Sequence, residues 1–476
     1  MSSASPATSV APLPTTRGAL RTTGHVHQSV KAELRVNLLE RLSGGQERFP
    51  GIVGFDETVL PQIERAILAG HDVVLLGERG QGKTRLIRTL VGLLDEWTPV
   101  VAGCEINDHP YAPVCGRCLE LEAELGDETP VAWKHRSERY GEKLATPDTS
   151  VGDLIGDIDP IKVAEGRTLG DPQTVHYGLV PRTNRGIFSV NELPDLAERI
   201  QVALLNVLEE RDIQVRGYAL RLPLDLMLIA SANPEDYTNR GRIITPLKDR
   251  FGAEVRTHYP LRLDDELALM RQESFLQWEG VYGQPVVPEY LIEVLARFTR
   301  AVREAPQVDG RSGVSARLAI AATETVAASA VRRAAVTGEL PPVARVVDLA
   351  SVVPAVRGKV EFDALEEGRE EEVLAHLLRR ATADTFRARL SGLDLSGLQE
   401  RVESSGPVET GELLPGSALL ASLGTIPGLA ALLNRLDGEG SESPGLAASA
   451  VEFAMEGLHL HRRLAKEELP GRTVYG

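Results

Sequence analysis

The residues whose types and spacing best suit chemistry form one short glycine-rich stretch. It consists of Gly77, Glu78, Arg79, Gly80, Gln81, Gly82, Lys83 and Thr84. The stretch fits G-x-x-x-x-G-K-[ST], the phosphate-binding loop, between an apolar run and a segment with helical spacing. Glycines let backbone N–H groups curl round an anion, and the helix that follows points its positive end at the same phosphates. We expect Lys83 to reach the β- and γ-phosphates of a nucleoside triphosphate and the Thr84 hydroxyl to ligate Mg²⁺.

Two further buried strands are predicted to end in polar residues. The run 185–190 leads into Asn191 and Glu192, and the run 224–230 leads towards Asn233. In a doubly wound sheet such strand ends face the ligand. We expect Glu192 to orient and deprotonate the water that attacks the γ-phosphate, and Asn233 to hold that water or the phosphate. Either residue alone is usually just the start of a loop, but their order behind a phosphate loop is specific.

The elements that must position these residues form an α/β pattern. Strands alternate with helices up to about residue 260, which predicts a parallel sheet flanked by helices, and helical segments dominate afterwards. Residues 213–222 alternate about a glycine and predict a β-hairpin. The expected domains are a disordered tail (1–27), an α/β core with a helical lead-in and an inserted loop at 104–148 (28–262), a helical lid (263–357) and a C-terminal helical region (358–476).

The inserted loop holds every cysteine of the chain together with a histidine: Cys104, His109, Cys115 and Cys118. Three cysteines and one histidine are a legitimate structural zinc set, and the C-x-x-C half has suitable spacing. His135 is an alternative fourth ligand. The competing interpretation is that the cysteines are free thiols serving as small buried residues.

Composition limits the classes of protein that are possible. The chain has 476 residues and a net charge of −16, which argues against a protein that mainly sheathes nucleic acid. The cysteine usage argues against a disulfide-stapled secreted protein, and we expect a cytoplasmic location. The first thirty residues suit a disordered bacterial N-terminus better than an organelle transit peptide. The uncharged stretch 416–433 is interrupted by glycines and a proline, so we predict two short buried helices there and no membrane span.

With these motifs assembled, residues 49 to about 323 resemble AAA+ ATPases. The resemblance is strongest to the motor (I) subunits of magnesium chelatase and to the neighbouring MoxR-type ATPases. Besides the phosphate loop it rests on the segments Ile-Val-Gly (52–54), Leu-Ile-Gly-Asp-Ile-Asp (154–159), Asn-Arg-Gly-Ile-Phe (184–188), Ser-Ala-Asn-Pro-Glu (231–235) and Leu-Lys-Asp-Arg-Phe (247–251).

The resemblance implies a role for each motif. The phosphate loop becomes Walker A, Asn191 with Glu192 occupies Walker B, and Asn233 becomes sensor 1. Arg250 is implied as the arginine finger that reaches the ATP of a neighbouring subunit, with Arg242 as the runner-up. Arg317 is implied as sensor 2. The cofactors implied are ATP and Mg²⁺.

One position departs from the family pattern. The family normally has Asp where this chain has Asn191, and a neutral amide is a weaker outer-shell partner for Mg²⁺. Because Lys83, Thr84 and Glu192 are intact, we predict a slow but genuine ATPase.

The resemblance also implies how the protein works. A site completed by a neighbour's arginine predicts a ring, with a hexamer as the expected size. We favour a motor that remodels or assembles a partner carrying a von Willebrand factor A domain. The alternatives are a true magnesium chelatase motor for porphyrin metallation, and a nucleotide-binding scaffold with slow turnover. A role on DNA is disfavoured by the negative charge.

Overall fold

The computed structural model describes residues 13–158, 164, 174–209, 213–215, 218–220, 222–234, 242–278, 280–309, 313–437, 443–469 and 471–476. Two compact units share the chain. The first consists of Met1–Gly77 and Gly82–Thr257, and the second of Glu78–Gln81 and His258–Gly476. The central segment of the phosphate loop therefore belongs to the second unit.

The first unit is built on a five-stranded parallel sheet. In chain order its strands are β1 (Val73–Leu76), β2 (Tyr140–Leu144), β3 (Gly186–Asn191), β4 (Leu226–Ala232) and β5 (Ala253–Arg256). Their order across the sheet is β5-β1-β4-β3-β2, and every neighbouring pair is parallel. The predicted α/β fold with a parallel sheet is thus confirmed. Parallel pairing brings the carboxyl ends of the strands to one edge.

Both faces of the central strands are buried, which explains their continuous apolar sequences. Val74 and Leu76 belong to the hydrophobic core on one face, whereas Val73 and Leu75 belong to the core on the other. Helices cover the two faces. The helices of this unit are Arg17–Thr22, Val30–Ser43, Leu60–Ala69, Lys83–Thr89, Gly116–Leu125, Val151–Leu154, Leu179–Arg182, Glu198–Glu209 and Thr245–Arg250, with 3-10 turns at Leu90–Leu93, Gly126–Glu128, Arg136–Arg139 and Leu193–Asp195.

The inserted segment 104–148 is not the irregular loop that its polarity predicted. It contributes β2 to the central sheet, and its strand Val131–His135 pairs antiparallel with Trp97–Val101. The sequence pattern did not reveal β2 because this strand lies at the edge of the sheet. Four of its five side chains are only half-buried, and its polar residues hide the strand pattern.

Residues 13–27, predicted as part of a disordered tail, are ordered. The N–H of Val131 donates to the carbonyl of Thr15 at 2.8 Å, and the Trp133 indole donates to the carbonyl of Pro14 at 2.8 Å. Leu20 on the helix Arg17–Thr22 is fully buried. These tertiary contacts order the segment, although its polar composition predicts disorder. Residues 1–12 of the predicted tail lie outside the described residues.

Two small antiparallel pairs complete the first unit. Gly156–Ile158 pairs with Val175–Tyr177, and Ile213–Val215 pairs with Tyr218–Leu220. The second pair confirms the predicted hairpin.

The second unit is mainly helical and has one hydrophobic core running from Leu267 to Tyr475. The proposed lid and the C-terminal region share this core, so packing does not separate them at residue 357. Its helices are Leu263–Glu273, Glu289–Glu304, Arg317–Thr337, Val352–Val356, Glu370–Leu390, Ser396–Ser404, Gly416–Leu423, Leu429–Asp437 and Pro444–Leu460, with 3-10 turns at Val346–Ser351, Arg357–Lys359 and Ala364–Glu366.

The C-terminal region was predicted to consist of helical stretches joined by linkers, and it also contains strands. Val408–Thr410, Lys466–Leu469 and Arg472–Tyr475 form a three-stranded antiparallel sheet. Their short, charged sequences carry little strand signal. The two helices predicted within 416–433 are present, and no helix among the described residues is long and apolar enough to cross a membrane.

Candidate nucleotide-binding site

The phosphate loop joins β1 to the helix Lys83–Thr89 at the carboxyl edge of the sheet. The N–H of Gly77 donates to the carbonyl of Ala232 at 3.2 Å, which ties the start of the loop to β4. Gly82 caps the helix in a left-handed conformation with φ of 76°, which favours glycine. The loop geometry that the motif predicts is therefore present.

Gly80 is required by a close approach inside the second unit. Its φ is +72°, and a Cβ added there would lie 2.9 Å from the Cα of Ser315. In the same unit the Tyr259 hydroxyl donates to the carbonyl of Arg79 at 2.8 Å. These contacts fix the middle of the loop.

Lys83 and Asn233 meet directly. Lys83 is 9% exposed, and its Nζ donates to Asn233 Oδ1 at 2.8 Å and to the carbonyl of Gly77. Asn233 follows β4, the neighbour of β1, and is also buried. The structure thus brings together two residues that the sequence assigned to the phosphates and that lie 150 positions apart in the chain.

Asn191, at the end of β3, lies in a chain of polar contacts. Its Oδ1 accepts a hydrogen bond from Ser231 Oγ at 3.2 Å, and its Nδ2 donates to Glu142 Oε1 at 2.7 Å. Glu142 comes from β2, where it lies opposite Ser189 of β3. A carboxylate therefore sits beside the position where the family pattern has Asp.

The surroundings of Glu142 keep it ionised. Its carboxylate accepts from Arg88 Nε at 2.9 Å and Nη2 at 3.1 Å, and from the Tyr140 hydroxyl at 3.0 Å. Partial burial raises the pKa of Glu142, but the hydrogen bonds from Arg88 and Tyr140 outweigh it and bring the pKa below its ordinary value. Sequence reasoning missed Glu142, since only the register between β2 and β3 places it here.

Glu192 follows Asn191 in a strained conformation. It is half-buried, and its φ of 57° and ψ of 45° lie in the left-handed region. A residue with a side chain is rare there, and the conformation costs about 1 kcal/mol or more. Its N–H donates to Ser231 Oγ at 3.4 Å. Such strain is often found at functional sites, because the side chain is aimed by its surroundings.

The three arginines of the predicted site are exposed. Arg250 ends the helix Thr245–Arg250, and Arg242 precedes it, with its carbonyl accepting from Gln201 Nε2 at 3.0 Å. Arg317 begins the helix Arg317–Thr337 of the second unit, where its N–H donates to Ser315 Oγ at 3.1 Å. Their roles stay predictions.

The cysteine group differs from the predicted zinc set. Cys104, Cys115 and Cys118 come together with Asp108, not with His109 or His135. The His135 ring is hydrogen-bonded to Ser137 instead. Hydrogen bonding with the Cys115 and Cys118 thiols lowers the pKa of the Cys104 thiol.

His109 lies in a cluster of aromatic and histidine rings. Its ring stacks on His25 with centroids 5.3 Å apart, lies 4.4 Å from the His27 ring, and accepts from the N–H of Tyr111 at 3.0 Å. Burial, with the charge of Arg185, lowers its pKa to about 2. His109 is thus held in this histidine cluster, with its Nε2 3.1 Å from His25 Nε2, and it is not part of the cysteine group.

Sequence comparisons find known proteins that are similar to this chain. The family described as the sigma-54 interaction domain, an AAA+ domain, matches residues 166–250. The magnesium-chelatase 38 kDa subunit of Acidiphilium rubrum is 29% identical over 238 residues, 48% of this chain and 63% of that protein. The magnesium-chelatase subunit ChlI of Nostoc sp. is 31% identical over 221 residues, 44% of this chain and 54% of that protein. The chain thus spans between about half and two thirds of the length of these relatives.

Among solved structures, a complex between subunits BchI and BchD of magnesium chelatase is a distant likeness. It is 22% identical and covers 69% of this chain and 98% of the matched chain, with a TM-score of 0.35. Kinship is supported by the sequence matches and by the observed sheet. Together they confirm the predicted resemblance of this chain to AAA+ ATPases of the magnesium-chelatase type.

Proposed function

We propose that this chain is an ATP-hydrolysing motor that couples ATP binding and hydrolysis to remodelling, assembly or metal insertion in a partner protein. The observation that carries the proposal is the hydrogen bond from Lys83 of the phosphate loop to Asn233 after β4. At the end of the adjacent strand β3, Asn191 accepts a hydrogen bond from Ser231 of β4, and Glu192 follows it in the chain. The similarity to magnesium chelatase subunits supports it.

Lys83 is the residue that holds the triphosphate in this proposal. Its buried ammonium group is bonded to the neutral oxygens of Asn233 and Gly77. Phosphate oxygens are charged and therefore stronger acceptors, so ATP in the loop would draw Lys83 towards the β- and γ-phosphates. Asn233 would then be released to hold the attacking water.

The donor set around the loop fits Mg²⁺, which prefers oxygen ligands. Thr84 would ligate it, with Asn191 and Glu142 as outer partners, and the ion would supply positive charge that offsets the charge of the triphosphate. Because the Glu142 carboxylate is hydrogen-bonded to Asn191, we infer that it supplies the negative charge that Asn191 lacks. Glu142 is thus a positioning residue that acts through Asn191.

Glu192 is the general base in the proposal. A carboxylate held at this strand end can accept the proton of the attacking water as the bond to the γ-phosphorus forms and the bond to the leaving ADP oxygen breaks. Arg317 would act as sensor 2.

Arg250 would stabilise the transition state in a neighbouring subunit, with Arg242 as the alternative. Its exposed position at the end of a helix suits a residue that acts across an interface. An arginine supplied in this way is worth about 10³–10⁵ in rate. The working unit would then be a ring, expected to be a hexamer in the cytoplasm.

The ring can be tested by mixing two inactive variants. Lys83→Ala should lose ATP binding, and Arg250→Ala should bind ATP but hydrolyse it slowly. Mixed rings contain sites with an intact Lys83 beside an intact Arg250, so mixing should restore part of the activity. Arg242→Ala serves as the matched control and should remain active. If the mixture stays as inactive as its components while the variants still co-assemble, Arg250 does not act in trans.

The identity of the partner distinguishes two possible functions of the motor, remodelling and metal insertion. We favour remodelling of a protein with a von Willebrand factor A domain, and the relatives' names support the alternative of porphyrin metallation. A pull-down from native cells with mass spectrometry distinguishes them: chelatase D and H homologues would favour metallation, and a lone A-domain protein would favour remodelling. Wild-type protein that binds ATP without turnover would instead indicate the nucleotide-binding scaffold.

A further inference from the structure

We propose that Cys104, Asp108, Cys115 and Cys118 bind one Zn²⁺ ion as a structural site in the first unit. One ligand atom from each of these residues lies within 4.8 Å of all the others. Cys104 Sγ and Cys115 Sγ are 3.9 Å apart. A tetrahedral site with Zn–S bonds of about 2.3 Å places its sulfurs about 3.8 Å apart. A disulfide would bring them to about 2.0 Å, so the observed spacing excludes a disulfide and matches the distance between two sulfurs on one Zn²⁺ ion.

The Asp108 carboxylate also indicates a bound cation. It is 1% exposed, and its Oδ2 accepts from the N–H groups of Val114 at 2.9 Å and Cys115 at 2.8 Å. Its Oδ1 is buried and finds no hydrogen-bond donor within the part of the chain that the structure describes. A buried carboxylate oxygen without a partner is costly, whereas a cation held by the neighbouring sulfurs would satisfy it.

The backbone around the group is shaped to bring the four ligands together. Asn107 has φ of 57°, and this turn lets the N–H of Asp108 donate to Cys104 Sγ at 3.3 Å. Cys115 precedes the ten-residue helix Gly116–Leu125, and Cys118 lies in its first turn. The positive end of a helix favours thiolates. The helix and the turn therefore present their sulfurs to the same point.

The chemistry of the ligands selects the metal. Three sulfurs and one carboxylate suit Zn²⁺, whereas Mg²⁺ and Ca²⁺ need oxygen ligands. Cys115, Cys118 and Asp108 are buried against the core of the unit, which leaves no open position for a substrate. Two cations lie beside the loop and offset its negative charge, Arg117 on the carbonyl of Ala102 and Lys134 on Asn107 Oδ1. The site would hold the inserted segment to the sheet, and it is independent of the proposed ATPase.

The test is metal analysis of the full-length protein, purified without a histidine tag. We expect about one zinc per chain and its release by a mercurial reagent that modifies thiols. Less than a tenth of an equivalent after purification and after addition of Zn²⁺ would overturn the proposal. Wild-type protein loaded with Co²⁺ should show tetrahedral d–d bands and thiolate-to-metal absorption, and a spectrum of oxygen ligands alone would also overturn it.

Two variants identify the fourth ligand. Asp108→Asn should weaken zinc binding about tenfold or more, because it removes a charged ligand while keeping the shape. His109→Gln is the matched control, since it alters the adjacent residue, and it should retain one zinc per chain. Loss of zinc in His109→Gln with full retention in Asp108→Asn would assign the histidine instead. Because metal content is measured without ATP, failure of this proposal is distinct from failure of the ATPase proposal.

Discussion

Replacing Glu142 by Gln tests whether this carboxylate compensates for the Asn at Walker B. The substitution removes the charge but keeps an oxygen that can accept from Asn191 Nδ2, now 2.7 Å from Glu142 Oε1. In its ion pair with Arg88, the arginine side chain is 62% exposed. Losing this pair should therefore lower the unfolding free energy by only about 0–1 kcal/mol. Outer-shell partners of a metal typically contribute 10–100-fold to affinity or activity, about 1.4–2.8 kcal/mol.

We therefore expect Glu142→Gln to raise the half-saturating free Mg²⁺ for ATP turnover about 10–100-fold while the thermal unfolding temperature changes little. Asn191→Asp should lower it, and in the double variant the Glu142 substitution should matter less, because the two carboxylates replace one another. Arg88→Ala is the control. It removes the ion pair but leaves the charge of Glu142, so it should not raise the half-saturating free Mg²⁺. An unchanged Mg²⁺ requirement and turnover in Glu142→Gln would refute the compensation.

Two further predictions concern stability. The Glu33 carboxylate is 4% exposed and accepts from Arg139 at 2.6 and 2.7 Å, so Glu33→Gln leaves the arginine buried without its counter-ion and should lower the unfolding free energy by about 3–5 kcal/mol. Denaturant titration measures this, and a loss below about 1 kcal/mol would contradict it. Gly80→Ala and Gly82→Ala place a side chain at similar positive φ, but only Gly80 faces Ser315. Gly80→Ala should therefore lower the unfolding temperature of the nucleotide-free protein more, and equal losses would show that the close approach is unimportant.

The central strands were predictable because burial on both faces makes them continuous apolar runs. Lys83, Asn191 and Asn233 were predictable as neighbours, since parallel strands end at one edge of a sheet. The left-handed conformation of Glu192 could not be predicted, because glutamate has no preference for that region.

Glu142 and Asp108 could not be found in this way. Glu142 lies on a polar edge strand, and its meeting with Asn191 depends on a register that local sequence does not encode. Asp108 replaces the adjacent His109 in the cysteine group because one positive φ at Asn107 turns the chain. Ligand spacing alone favours the histidine, which packs against His25 and His27 instead.

The most direct test of the central claim is the ATPase rate of Glu192→Gln beside its affinity for a fluorescent ATP analogue. The amide keeps the size of the side chain but cannot accept the proton of the attacking water. We predict unchanged nucleotide binding and a loss of hydrolysis of about 10²–10⁴-fold relative to wild type. Hydrolysis at the wild-type rate would contradict the assignment of Glu192 as the base and, with it, the account of this site.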